Sequence, residues 1–235
     1  MKKVIVFLSF IFLLVGCGKK SDEIVMVTEA GFAPYEFYEN GEVIGVDIEI
    51  SKKIADKLGK KLVIKDVAFD SIINELNSGK ADFAAAGMSI DPERSEKVDF
   101  SIEYITSNQV VVVKKDSDIK SIDDIKDKRI SVQLGTVADT YVTKNYKDAK
   151  INRLKKFLVA AEDVKNNKSD CIVMDAIPAN ELVKSNPELK VLDGILFQDK
   201  YGMAVKKGNK ELLNSINLVL EELIKDGKID EYIIK

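Results

Sequence analysis

The chain reads as an α/β protein of two open lobes, and three observations lead there. Residues 24–86 alternate short β-rich runs with helical ones in β-α-β-α-β order, the theme resumes after a continuous β-branched run at 110–113, and the second unit has its own strands and helices without repeating the first. Residues 24–27 are β-rich. Ile50, Ile54 and Leu58 then recur at four-residue spacing, and Gly59 follows as a helix stop. Residues 62–64 read as a second strand, and Asp70 is placed to cap a helix carrying Ile72, Ile73 and Leu76 that ends at Gly79. Residues 83–86 form the next strand. The run 110–113 suits a buried strand or a crossing between lobes. Downstream, Ser121 with Asp124 resembles a capping box, 130–133 is a strand, Gly135 and Thr136 open a helix, and a helix around 160–166 precedes the strand 171–174, which ends at Asp175. A strand at 201–205 leads to an amphipathic helix with Leu212, Leu213, Ile216, Leu220, Leu223 and Ile224 on one face, closed by Gly227.

The first residues are not expected to belong to the fold. Lys2 and Lys3 precede an apolar run over 4–15, and small residues lead to Cys17, a pattern too short for a membrane span and ordered like a secretory signal. Leu14-Val15-Gly16-Cys17 resembles a bacterial lipobox, which implies a diacylglycerol on the Cys17 sulfur; plain signal cleavage is the alternative. Two or more acyl chains make a stable anchor where one does not. The expected placement is extracytoplasmic, in a periplasm or at a cell surface, with residues 18–21 as a polar tether. Cys171 is then the one remaining thiol, and its apolar setting suits a buried strand.

Composition removes several classes of function. The 36 basic and 39 acidic residues give a net charge of −3 with no basic stripe, so nucleic acid is not an expected partner. With no histidine in the chain, a histidine base, a histidine metal site and a histidine pH switch are excluded, and binding nearly independent of pH between about 6 and 8 is expected. No Gly-rich phosphate loop or metal-ligand spacing is present, and neither cofactor nor metal is expected.

The segment 87–94 carries the chemistry. Asp91 suits an N-cap and Pro92 the first helical position, so that free N–H groups, the Ser89 hydroxyl and the Arg94 guanidinium could converge on a carboxylate; a capped surface helix whose arginine pairs with Glu93 is the competing reading. Enclosing a zwitterion requires a partner for the ammonium as well. Asp175, at a strand end, is the candidate, or else it caps the following helix. Gly135 and Thr136 offer a second set of donors to the carboxylate, or simply start their helix.

Taken together, TEAGFAPYEF at 28–37, GVDI at 45–48, Phe69-Asp70, 85–94 followed by VDFS at 98–101, VQLGT at 132–136, Asp175, YGMAV at 201–205 and DGK at 226–228 resemble the extracytoplasmic polar amino-acid-binding proteins of ABC importers. The resemblance runs from about residue 23 to 232 in family order. It implies a periplasmic-binding-protein-like fold of type II: lobe one from 22–104 and 202–235, lobe two from 109–196, and a two-stranded hinge at 105–108 and 197–201. It also implies that Arg94, Ser89 and the backbone at Thr136 take the ligand carboxylate, and that Asp175, the Gly87 carbonyl and Ser89 take the ammonium. Phe32 and Phe69 match positions flanking the ligand side chain, with ordinary core packing as the alternative. Glu29 matches an acid facing the ligand tip, and together with Ala86, Gly87 and Met88 it favours a basic ligand, arginine first. Gln133 would serve an amide equally well, so a glutamine or neutral polar binder stays open. The implied partners are an amino acid, permease subunits and, through lipid, a membrane, with the protein itself a monomer. A related bilobed enzyme of the cyclohexadienyl dehydratase type would need Glu29 or Asp175 as a general acid; retention of both Arg94 and Asp175 favours binding without catalysis.

Overall fold

A computed structural model describes residues 22–234; the signal and tether segments and Cys17 lie outside the described residues. The fold is mixed α/β, as the sequence predicts, and contains two main sheets. The chain opens with β1 (Glu23–Thr28), β2 (Gly31–Phe32), β3 (Glu36–Glu39) and β4 (Glu42–Ile44), then α1 (Val46–Leu58), β5 (Lys61–Asp66), α2 (Ile72–Asn77), β6 (Phe83–Ala84), the four-residue α3 (Pro92–Ser95) and β7 (Val98–Phe100). The ten-residue β8 (Ile105–Lys114) follows. After it come β9 (Arg129–Gln133), α4 (Val137–Asn145), β10 (Lys150–Leu154), α5 (Phe157–Lys165), β11 (Cys171–Asp175), α6 (Ala176–Lys184), β12 (Leu189–Val191), β13 (Phe197–Tyr201), β14 (Ala204–Lys206), α7 (Lys210–Lys225) and α8 (Lys228–Ile234).

One sheet runs β5-β1-β6-β14-β7, with β1 parallel to β5 and β6 and with β14 antiparallel to β6 and β7. The other runs β10-β9-β11-β8-β12, and β13 adds to β8. The expected valine run lies in the second half of β8, where Val111, Val112 and Val113 are fully buried; β-branched residues covered on both faces read as a continuous apolar run. The same strand pairs with β13 from Ile105↔Tyr201 to Phe197↔Gln109, forming one antiparallel ribbon. The apolar stripe of α7 packs on α1, which places the C-terminal helix with the first sheet.

Three local expectations change. The residues predicted as a single strand at 201–205 divide between β13 and β14, because Tyr201 completes the ribbon while Ala204 joins the first sheet. Asp70 does not cap α2, which has no side-chain cap; its carboxylate lies 2.9 Å from Lys155 Nζ instead, because an ion pair with the second lobe is within reach. The Ser121 capping box is present, but the turn it starts is a short 3₁₀ helix. Among the described residues, no helix is long and apolar enough to cross a membrane. Cys171 is fully buried, and burial pushes its thiol up.

Candidate binding cleft

The candidate site is a narrow pocket lined by residues that follow strands of both sheets. Glu29, Phe32, Phe69, Gly87, Ser89, Arg94, Gln133, Thr136 and Asp175 line it. Met88, also expected there, does not. Its side chain is buried among Val27, Ile72 and Val98, while Ala86, Gly87 and Ser89 take the cavity side around a bend in which Gly87 is left-handed.

Local sequence positions Arg94. The Asp91 carboxylate accepts from the N–H groups of Glu93 and Arg94 at 2.9 and 3.1 Å, and Pro92 begins the helix as its missing donor allows. The guanidinium does not pair with Glu93. It donates to the Ser89 carbonyl and, across the cleft, to the Gly135 carbonyl, both at 2.8 Å, and sits 5.3 Å from the centroid of the Phe69 ring. Burial lowers its pKa, while Asp91, Asp199 and Asp175 work in the opposite direction.

Asp175 ends β11 and starts α6 without capping it by side chain. Its Oδ1 accepts from Ser107 Oγ and Gln109 Nε2, both at 2.7 Å, and from the Tyr201 hydroxyl. Burial nevertheless raises its pKa, against these hydrogen bonds. Thr136 acts chiefly as the N-cap of α4: its hydroxyl donates to the Gln133 carbonyl at 2.8 Å and accepts from the Asp139 N–H. The hydroxyl expected to serve a carboxylate is therefore engaged by its own helix, since an N-cap satisfies otherwise unpaired backbone donors.

Also lining the cavity, Glu29 accepts from Gln133 Nε2 at 3.0 Å, and Lys156 Nζ lies 3.2 Å from its other oxygen. Burial raises the Glu29 pKa and both partners lower it. Phe32 stacks on Tyr35 in its own lobe and on Phe157 of α5 in the other, with centroids 5.7 and 5.8 Å apart. Core packing and cavity lining are thus both true of it.

Gly87 has φ +49, and a Cβ there would lie 2.7 Å from the Phe32 ring. Its N–H donates to Asp47 Oδ2 at 2.9 Å, and the Tyr104 hydroxyl donates to Oδ1 at 2.8 Å. Gly87→Ala is therefore expected to destabilise the fold by about 1–3 kcal/mol, from left-handed backbone strain and overpacking. Urea denaturation of the two proteins measures it.

Ala86, which the resemblance also picks out, lines the cavity too, but sequence reasoning missed Glu36, Phe157 and Val137, which do as well. It missed Asp47 and Asp199 as well. Glu36 is buried, with Oε2 lacking a hydrogen-bond partner, and burial followed by the nearby Asp47 pushes its carboxyl well up. Burial also pushes Asp47 up to about 6 and raises Asp199. Desolvation thus brings carboxyls toward a pH window that the absence of histidine leaves empty.

The model of the bacterial extracellular solute-binding proteins, family 3, matches residues 24–235. The chain belongs to that family. This solute-binding protein is 30% identical over 237 residues to the arginine-binding extracellular protein ArtP of Bacillus subtilis (strain 168), covering 94% of this chain and 91% of the relative. It is 33% identical over 213 residues to the ABC transporter arginine-binding protein 1 of Escherichia coli (strain K12), covering 88% and 87%. Its fold matches a crystal structure of the P235GK mutant of ArgBP from T. maritima with a TM-score of 0.86 and 40% identity, covering 90% of this chain and 93% of the other. Type II periplasmic binding proteins thus share its architecture.

Proposed function

We propose that the protein is the extracytoplasmic substrate-binding component of an amino-acid ABC importer, that its ligand is a basic amino acid, arginine first, and that it delivers this ligand to permease subunits. The observation that carries the ligand reading is the charge around the cavity. Glu29 and Asp175 line it and Asp199 stands beside Ser89, whereas the cations nearby are Arg94 and Lys156. A ligand with one carboxylate and two cationic groups fits that imbalance, because buried charge is tolerated only when paired. Arg94 would hold the carboxylate. Asp175 would take the ammonium with its Oδ2, since Oδ1 already accepts three hydrogen bonds, and Glu29 and Gln133 would meet the tip.

Residues 105–108 and 197–201 serve as the hinge, and lobe two spans 109–196. The partners for one ligand are divided between lobes, so the ligand favours the closed arrangement through contacts that an open one cannot make. A neutral ligand such as glutamine is the second reading, favoured by Lys156 beside Glu29, which offsets that acid.

Thermal unfolding against the twenty amino acids, ornithine and citrulline tests both. Saturation at a thousandfold above Kd adds about 4 kcal/mol of stability. Arginine is expected to raise Tm most; a larger shift with glutamine overturns the basic reading, and no shift with any amino acid overturns the function. The protein is further read as a monomer without catalytic activity, anchored through lipidated Cys17. Cys17→Ser is expected to move it from the membrane to the soluble fraction, as fractionation and immunoblotting would show.

A further inference from the structure

Ser89 is expected at both poles of the ligand, and a hydroxyl cannot favour both equally. Its proton has one direction. In the structure that proton goes to Oδ2 of Asp199, a residue of β13 and 110 positions away in sequence. Two further hydrogen bonds fix the two segments against each other: Ile90 N–H donates to the Lys200 carbonyl at 2.8 Å and Gly202 N–H to the Met88 carbonyl at 3.0 Å, which together pair Ser89 with Tyr201 in an antiparallel bridge. The other oxygen of Asp199 is buried and has no hydrogen-bond partner.

We propose that Asp199 is a positioning residue of the ammonium subsite: by taking the Ser89 hydroxyl proton it turns the Ser89 lone pairs toward the cavity, so that Ser89 accepts from the ligand ammonium, and it adds a second negative charge behind Asp175. The inference rests on the reading of the cleft as an amino-acid site. A donor hydroxyl can rotate toward either pole, but one committed to a carboxylate has only acceptor capacity left. The assignment also explains an acid on the ribbon between lobes. Its charge is balanced when a cation arrives, and its hydrogen bond ties the binding loop to the returning strand.

The groups that act on Asp199 are few. Burial and then the charge of Asp175 on β11 raise its pKa; the Ser89 hydroxyl, the nearby amide of Gln109 on β8 and the charge of Arg94 on α3 lower it. Asp199 in turn raises the Tyr35 phenol, and its cross-strand neighbour on β8 is Ser107. A cationic ligand stabilises the ionised form, so a protein that has gained a proton at Asp199 must release it to bind. Affinity therefore falls as the pH is lowered, by at most tenfold per pH unit for one proton.

Calorimetric titration with L-arginine from pH 7.5 to 5, on the wild type, Asp199→Asn, Ser89→Ala and the double variant, tests this. Asp199→Asn is expected to weaken binding at pH 7.5 by tenfold or more and to flatten the acid limb, and the double variant to lose no more than the stronger single one. Asp199→Asn with wild-type affinity and slope overturns the proposal, and so do losses that multiply. If that variant does not fold, the carboxyl of Asp199 in ¹³C-aspartate-labelled wild type is followed instead. Its titration midpoint is expected to drop when L-arginine saturates the site, and an unmoved midpoint overturns the proposal. A wild type that binds no amino acid is a separate result, which removes the cleft reading itself.

Discussion

Arg94→Ala is expected to lose amino-acid binding by about a thousandfold or more while remaining folded. The guanidinium is buried, and its hydrogen bonds go to two backbone carbonyls, one in each lobe. Truncating one member of a buried charge pair costs 2–5 kcal/mol or more, and about 4 kcal/mol is close to a thousandfold. Folding is expected to persist because what starts α3 is the Asp91 cap and Pro92, neither of which uses the guanidinium. The loss has two sources. The ligand carboxylate is left without a cation in a site of several acids, and the link from the first lobe to the Gly135 carbonyl disappears. Calorimetry with L-arginine and a thermal melt read by circular dichroism separate lost binding from lost structure. Retained micromolar affinity in a folded variant would remove Arg94 from the site.

Asp175→Asn is expected to weaken binding by 2–5 kcal/mol, about thirtyfold to several thousandfold, with a smaller effect on stability. Ser107, Gln109 and Tyr201 converge on Oδ1, and an asparagine keeps an acceptor oxygen for all three. The substituted nitrogen then stands where Oδ2 was and points N–H donors at an ammonium. Attraction becomes repulsion within one nearly isosteric change. An Asp175→Asn variant that binds L-arginine as the wild type does would place the ammonium elsewhere. Because burial already raises the Asp175 pKa, removal of the charge also relieves a desolvation cost, which is why a small stability change is expected although the three hydrogen bonds then end on a neutral oxygen.

Much of the local structure was legible. Asp91 and Pro92 announce a helix start, and the structure places both as the capping rules require. The valine run announces a covered strand, and it lies in the second half of β8. Asp175 follows an apolar strand and is found at its end. Each of these signals is carried by neighbours in sequence. Asp70 shows where that stops: its spacing from the apolar residues of α2 reads as a cap, yet an ion pair with Lys155, 85 residues away, claims its carboxylate. Met88 shows the same limit within a single loop, since its side chain is claimed by packing with Val27, Ile72 and Val98 while its neighbours Gly87 and Ser89 face the cavity.

By itself the sequence determined the α/β alternation, the capped loop with its arginine, the absence of histidine chemistry and the motif order that points to the family. Tertiary structure alone decided that Asp199 meets Ser89, that Asp47 holds the Gly87 N–H and that Glu36 and Phe157 reach the cavity. The physical reason is range. Caps, turns and periodicity are settled over a few residues of backbone, whereas the direction of a hydroxyl proton or the ionisation of a buried carboxyl depends on groups that only folding brings together.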